Sequence, residues 1–280
     1  MDLTRRGART TAAIVLALGL ASLGGCTLTV VSGSGVLRTE ARDVASFTAI
    51  DLRAIGDAVV EVGPTASVEI DAEDNLLPYL TTSVVDGTLR IETKAGATLR
   101  TTKAILYRIT VPTLTQTSVA SSGAVHAEGI QGTDFAAEVS GSGQIVVKGT
   151  AQTAALTVSG SGRVDTTALA SDALTVDMSG SGQVAAQATG SLSATVGGSG
   201  DISVSGTAQQ YRINVAGSGS VDARSMTSTN ADVTIAGSGA ARVNVTGELS
   251  VHIEGSGDVT YQGAPHVTSD IQGSGRIRQG

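Results

Sequence analysis

The chain has 280 residues, a formal net charge of −7, 2% aromatic residues, no tryptophan and a single cysteine. The length sets one large domain or two small ones. The acidic balance argues against nucleic acid and against anionic lipid held by charge, and the scarcity of aromatics removes the interfacial girdles of a transmembrane barrel.

The first element in chain order is an export signal. MDLTRRGART carries Arg5, Arg6 and Arg9, and the apolar run TAAIVLALGLASLGG follows and stops before Cys26. A basic start, an apolar core and a small-residue exit mark a secretory signal, and the core falls short of the ~20 apolar residues of a membrane span. Arg5-Arg6 also raises twin-arginine export, but the hydrophobic part that completes that motif is missing, which favours general secretion. LGGC, Leu23 to Cys26, resembles the bacterial lipobox. That resemblance implies cleavage before Cys26, a diacylglycerol on its sulfur, and a domain tethered to a membrane without spanning it. An acylated Cys26 leaves no thiol for a disulfide. Removing residues 1–25 takes away three arginines and one aspartate (Asp2), a change of −2, from −7 to −9. Thr27 follows the cysteine, so the aspartate that retains lipoproteins in an inner membrane is absent. The expected location is the outer membrane in a cell that has one, and otherwise the outer face of the cytoplasmic membrane. Residues 26–36 read as the lipidated cysteine and a short tether, and residues 37–280 as a single domain.

Within residues 37–115, FTAIDL, DAVVEV, SVEIDA, YLTTSVV, TLRIET and ILYRITV alternate as strands, and EDNLLPYL reads as a loop or single helical turn. Broader coils of one solenoid are expected here, with a separate small β domain as the alternative.

From residue 116 onward the chain repeats. The last glycine of each Ser-Gly or Gly-Ser-Gly falls at Gly123, Gly143, Gly162, Gly182, Gly200, Gly219, Gly239, Gly257 and Gly275, in steps of 18 to 20. A flexible Gly/Ser linker keeps no such register. Four residues before each mark stand Val119, Val139, Val158, Met178, Val196, Val215, Ile235, Ile253 and Ile271. Two residues after it stand Val125, Ile145, Val164, Val184, Ile202, Val221, Ala241, Val259 and Ile277. Alternation on both sides of a glycine corner means half-buried strands. A second small-residue corner follows at Gly129, Gly149, Ala168, Gly206, Ser225 and Gly263. Units this short bury their apolar faces only by stacking. The expected fold is all-β, a parallel β-helix with coils of about 18–20 residues, its Val/Ile columns forming the spine. The marked glycines turn corners where φ is positive or where stacked coils exclude a Cβ. At the abrupt C-terminal end, Arg276 and Arg278 flank Ile277, either as guards of an open sheet edge or as ordinary outward arginines.

An exported start, the string from FTAIDL through VEIDAEDNLLPYLTTSVVDGTLRIET, then ITVPTL and the run of GSG marks resemble the putative auto-transporter adhesin head GIN domain family, over about residues 35–278. The resemblance implies a right-handed β-helix and surface adhesion, and it supplies no catalytic residues. The chain lacks a translocating barrel.

No copy of GSGSG is followed by the Lys-Ser or Lys-Thr of a phosphate loop. The residue after each mark is acidic only at Asp201 and Asp258, which excludes a calcium ladder. Asp71, Glu73 and Asp74 form either one isolated oxygen site or a solvated acidic loop. His126, His252 and His266 are isolated, and the alternation turns His126 and His252 outward, as solvated residues rather than ligands. Glu138 and Asp177 share an outward column two coils apart, roughly 10 Å by strand spacing, near the upper end for an inverting glycosidase pair. No aromatics accompany them. The candidate binding residues are therefore Glu138, Gln144, Arg163, Asp165, Asp177 and Gln183, all expected to face outward. No catalytic set, cofactor or metal is expected. The reading is a lipid-anchored, non-catalytic envelope protein that touches the membrane through its lipid and binds cell-wall or host glycans or proteins. A polysaccharide-active enzyme and a self-assembling surface fibre are the alternatives.

Overall fold

Alternation is carried through to stacked coils in the structure, a computed structural model that describes residues 29–280. The export signal and Cys26 lie outside the described residues. The strands β10 (Gln116–Val119), β11 (Ala124–Val139), β12 (Gln144–Val158) and β13 (Arg163–Met178) pair in parallel, each with the next coil, and the pattern continues to the final strands His266–Gly273 and Arg276–Gln279. The protein is a parallel β-helix.

The Val/Ile columns lie inside as expected, each position stacked on its counterpart one coil away. Val139, Ile145, Val158, Val164, Val176, Val184 and their equivalents are buried as far as Val259. Burial of each such side chain contributes about 1.5–3 kcal/mol, and parallel stacking makes that contribution continuous along the rod. The ninth repeat departs from the pattern. Ile271 is 40% exposed and Ile277 only half-buried, because no described coil lies against their free side.

The two corner types use glycine for different reasons. None of the nine marked glycines has a positive φ. A Cβ on Gly162 would stand 2.2 Å from the Gly143 carbonyl oxygen and 2.5 Å from Val139 Cγ1. Coil-to-coil approach excludes the side chain there. At the second corner Gly129, Gly149, Gly206 and Gly263 have φ of 82, 145, 119 and 91°, the region that favours glycine. β11, β12 and the strand Asp201–Val215 run through this corner with a register shift, whereas the strand Asp258–Gln262 ends before Gly263.

The N-terminal part is built differently from the parallel coils. Its strands are β1 (Thr29–Ser32), β2 (Leu37–Arg42), β3 (Ala49–Leu52), β4 (Asp57–Val62), β5 (Ser67–Glu73), β6 (Leu80–Val85), β7 (Thr88–Thr93), β8 (Ala97–Arg100) and β9 (Leu106–Val111). β3 and β4 make a coil below β10 and β11, and β7 and β9 pair in parallel beneath it. Beyond that, β5 runs antiparallel to β9, β2 antiparallel to β5, and β6 antiparallel to β7. The reversal at β6–β7 is a two-residue hairpin in which Asp86 and Gly87 have φ of 50 and 73°. EDNLLPYL carries a 3₁₀ turn at Leu77–Tyr79. This region closes the bottom of the core, and it shares one hydrogen-bonded sheet with the coils except for β1 and β8, which pair only with each other.

Candidate binding faces

The glycine corner divides the six expected residues between two faces. Glu138 and Asp177 lie on the strand entering the corner, in one ladder with Thr157 between them. Gln144, Arg163 and Gln183 stack on the strand leaving it, with Asp165 one column along. All six are exposed or half-buried, as expected.

On the second face the side chains satisfy one another. Arg163 donates to Gln183 Oε1 at 3.1 Å and to Asp165 Oδ2 at 3.2 Å. Burial pushes the Asp165 carboxyl up, but bonds from Thr167 and Arg163 outweigh it and hold the group below its ordinary value. This ladder has no free charge to offer a ligand.

The first face ends in a groove. The column that contains Glu138 continues downward through Ser118 and Asp51 to Arg90. Asp51, Arg53, Arg90, Gln116, Ser118 and Glu138 line a depression of about 400 Å³. Asp51 is 8% exposed. It accepts from Arg53 Nε at 2.7 Å and Ser118 Oγ at 3.1 Å, and Arg53 reaches Glu92 at 3.3 Å. Arg90 differs. Its Nε is buried with no hydrogen-bond partner, and it makes no salt bridge among the described residues. Glu138 is also without an ion pair there. The groove thus offers an unpaired guanidinium at one end and an unpaired carboxylate at the other, about 14 Å apart by three ladder steps. Sequence reasoning found Glu138 but missed Asp51, Arg53 and Arg90. Asp51 and Arg90 stand on strands outside the 18–20-residue period and Arg53 just after one, and their signal is only the outward phase of the arginines in AIDLR and TLRIE.

Glu138 and Asp177 stand two coils apart on an open, exposed face, and no aromatic ring lines the groove.

The acidic loop is only partly solvated, with Asp74 exposed and Glu73 turned inward. Glu73 is fully buried and accepts from Gly35 N at 2.6 Å, Thr102 N at 2.9 Å and Thr102 Oγ1 at 2.6 Å. The Thr102 hydroxyl bond, aided by the backbone amides of Thr102, Gly35 and Lys103, lowers its pKa to about 2 against the opposing effect of burial. Asp71 pairs with Arg108, and Asp74 accepts from Ser34. No metal-holding cluster is found among the described residues. His126 and His266 are exposed, whereas His252 is half-buried between Glu254 and Asp270, both at 3.1 Å. It is held between two carboxylates rather than freely solvated.

The family profile described as "Putative auto-transporter adhesin, head GIN domain" matches residues 46–208 and 196–265. No curated protein matches. Among solved structures, one described as a putative lipid binding protein from Parabacteroides distasonis ATCC 8503 is 25% identical, with 90% of this chain and 100% of that one covered and a TM-score of 0.70. A putative adhesin from Parabacteroides merdae ATCC 43184 is 21% identical, with 90% and 99% covered and a TM-score of 0.67. The latter likeness speaks to the fold alone.

Proposed function

The chain belongs to the head GIN domain family of putative auto-transporter adhesins, and from that membership we propose that it is a lipid-anchored, non-catalytic binding module of the cell envelope. The groove beside Arg90 carries this reading. It combines an unpaired, partly desolvated guanidinium with exposed hydroxyl and amide groups, a set suited to a polar, anionic ligand such as a cell-wall or host glycan. The family description supports a surface location, and no described helix is long and apolar enough to cross a membrane. The sequence pattern around Cys26 supports attachment through lipid. The flat ladders elsewhere offer contact area but few free charges.

The test is binding of the exported, processed protein to purified envelope polymers, a host-glycan panel and whole cells, beside Arg90→Gln and Glu138→Gln variants. Saturable binding that drops at least tenfold in Arg90→Gln is expected. Absence of binding to every surface, or cleavage of a glycan lost in Glu138→Gln, overturns the proposal. Mass spectrometry of the N-terminal peptide checks the anchor, with a diacylglycerol adduct on Cys26 expected.

A further inference from the structure

We infer that the β1–β8 ribbon at the bottom of the solenoid is a membrane-contact surface, on which the rod stands on an anionic lipid bilayer. Val30, Val36 and Leu37 are 53, 58 and 56% exposed, more than any other large apolar side chain described. All three fall within eight residues of one another, and Val30 follows Cys26 by only four positions. β1 lies in parallel on β8, and the loop after it is tied to the 100–103 loop because Gly33 N donates to Arg100 O and Glu73 bridges Gly35 and Thr102. The two segments, 29–38 and 94–103, carry Arg38, Lys94, Arg100 and Lys103 and no Asp or Glu, in a chain of net charge −7. The four cations are exposed, and none forms a salt bridge among the described residues, although Arg42, Arg53 and Arg108 nearby do. The exposed Asp74 borders the loop, with its carboxylate accepting from Ser34 and Asn75.

Exposed aliphatic groups flanked by unpaired cations suit the headgroup region, where aliphatic side chains enter the acyl boundary and Lys and Arg meet phosphates. The overall acidic charge conceals this local basic patch, so the net-charge argument against anionic lipid does not reach this end of the rod. The ribbon is held to the end of β5 through Glu73, and β5 pairs with β9 beneath β4 and β11, so the ribbon lies at the opposite end from Arg276–Gln279 and the last coil points away from the bilayer. The inference rests on the lipid-anchor reading for its orientation: a diacylglycerol on Cys26 supplies the attachment, and the basic patch on the ribbon turns that end of the rod toward the bilayer.

The experiment places a nitroxide at Leu37→Cys or at Thr268→Cys in the exported full-length product, reconstituted on phosphatidylcholine vesicles with and without phosphatidylglycerol. Accessibility to a water-soluble nickel chelate is expected to be several-fold lower at residue 37 than at residue 268 on the anionic vesicles. Arg38→Glu/Arg100→Glu/Lys103→Glu is expected to abolish that difference. Equal accessibility at the two sites, with the protein on the vesicles, overturns the inference and leaves the anchor standing. An unmodified Cys26 by mass spectrometry overturns the anchor. Co-sedimentation of that unlipidated chain with the anionic vesicles then decides the surface: binding weakened by salt upholds it and no binding overturns it.

Discussion

Gly143 is stacked on Gly123 so closely that a Cβ on Gly143 would stand 2.2 Å from the Gly123 carbonyl oxygen and 2.6 Å from Val119 Cγ1. The same carbonyl accepts the amide of Gln144 at 3.1 Å, so the approach is fixed by the inter-coil ladder itself. Backbone cannot rotate away as a side chain can. Gly143→Ala is therefore expected to cost about 1–3 kcal/mol, as overpacking does. Gly132→Ala is the control, because its nearest neighbour would be 3.7 Å away and its φ is not positive. That change should alter stability by less than about 1 kcal/mol. Denaturant midpoints of the two variants decide the matter, and equal midpoints would remove the packing explanation.

Glu73 joins the β1–β2 loop and the 100–103 loop to the end of β5, and its pKa is lowered to about 2. A carboxyl lowered in the folded state stabilises fully above its unfolded value, near 4.3. That contribution fades as the pH falls from there toward about 2. Glu73→Gln presents an NH₂ to donors that need an acceptor, so it should lower the unfolding midpoint at neutral pH. The gap between variant and native protein should shrink on acidification through that window. Thermal melts between neutral pH and pH about 2 test this, and a gap independent of pH refutes it.

His252 binds the last coil to the one before it. It pairs in register with Asp270, its Nδ1 lies 3.1 Å from the Asp270 carboxylate, and its Nε2 lies 3.1 Å from Glu254. Both ring nitrogens donate only in the imidazolium. The bond to Glu254 raises the pKa most, burial works against it, and the Asp270 and Glu254 charges add to the rise. A raised histidine stabilises fully below its ordinary value of 6.5, and that contribution is lost as the pH rises through the folded-state value. Amide protection of His266–Gly273 is thus expected to fall over that range in the native protein and to stay flat in His252→Asn. Parallel profiles would show that the histidine is not the source.

Legibility followed the repeat. Val139 and Ile145 announce their burial because every coil places an apolar residue at their phase, and the observed ladder Ser118–Glu138–Thr157–Asp177 reproduces the spacing in sequence. Asp86-Gly87 was an available hairpin signal between two alternating runs, yet the strong downstream period favours reading both runs as parallel coils. Glu73 looked solvated because a buried carboxylate is unusual, and its amide donors come from residues 29 to 38 positions away. Arg90 and Asp51 become neighbours only through β3–β7 pairing, which no local pattern encodes. The ninth repeat departs for a simpler reason, since inward phase buries Ile271 only when another coil covers it.

That uncovered coil motivates a last prediction. His266–Gly273 and Arg276–Gln279 each pair on one side only, and the Ile271 and Ile277 side chains beside the free edge are incompletely buried. An open edge next to apolar surface templates association with a second edge. Arg276 and Arg278 stand on either side of Ile277, and an approaching strand must desolvate them. Arg278 also bonds to Asp258 at 3.0 Å, an exposed pair worth at most about 1 kcal/mol. Arg276→Val/Arg278→Val should therefore fold with a nearly native midpoint while forming concentration-dependent oligomers. Sedimentation velocity over a range of concentrations separates the two possible roles of these arginines. If the double variant sediments as the native protein does, the charges are ordinary surface residues and guard no edge.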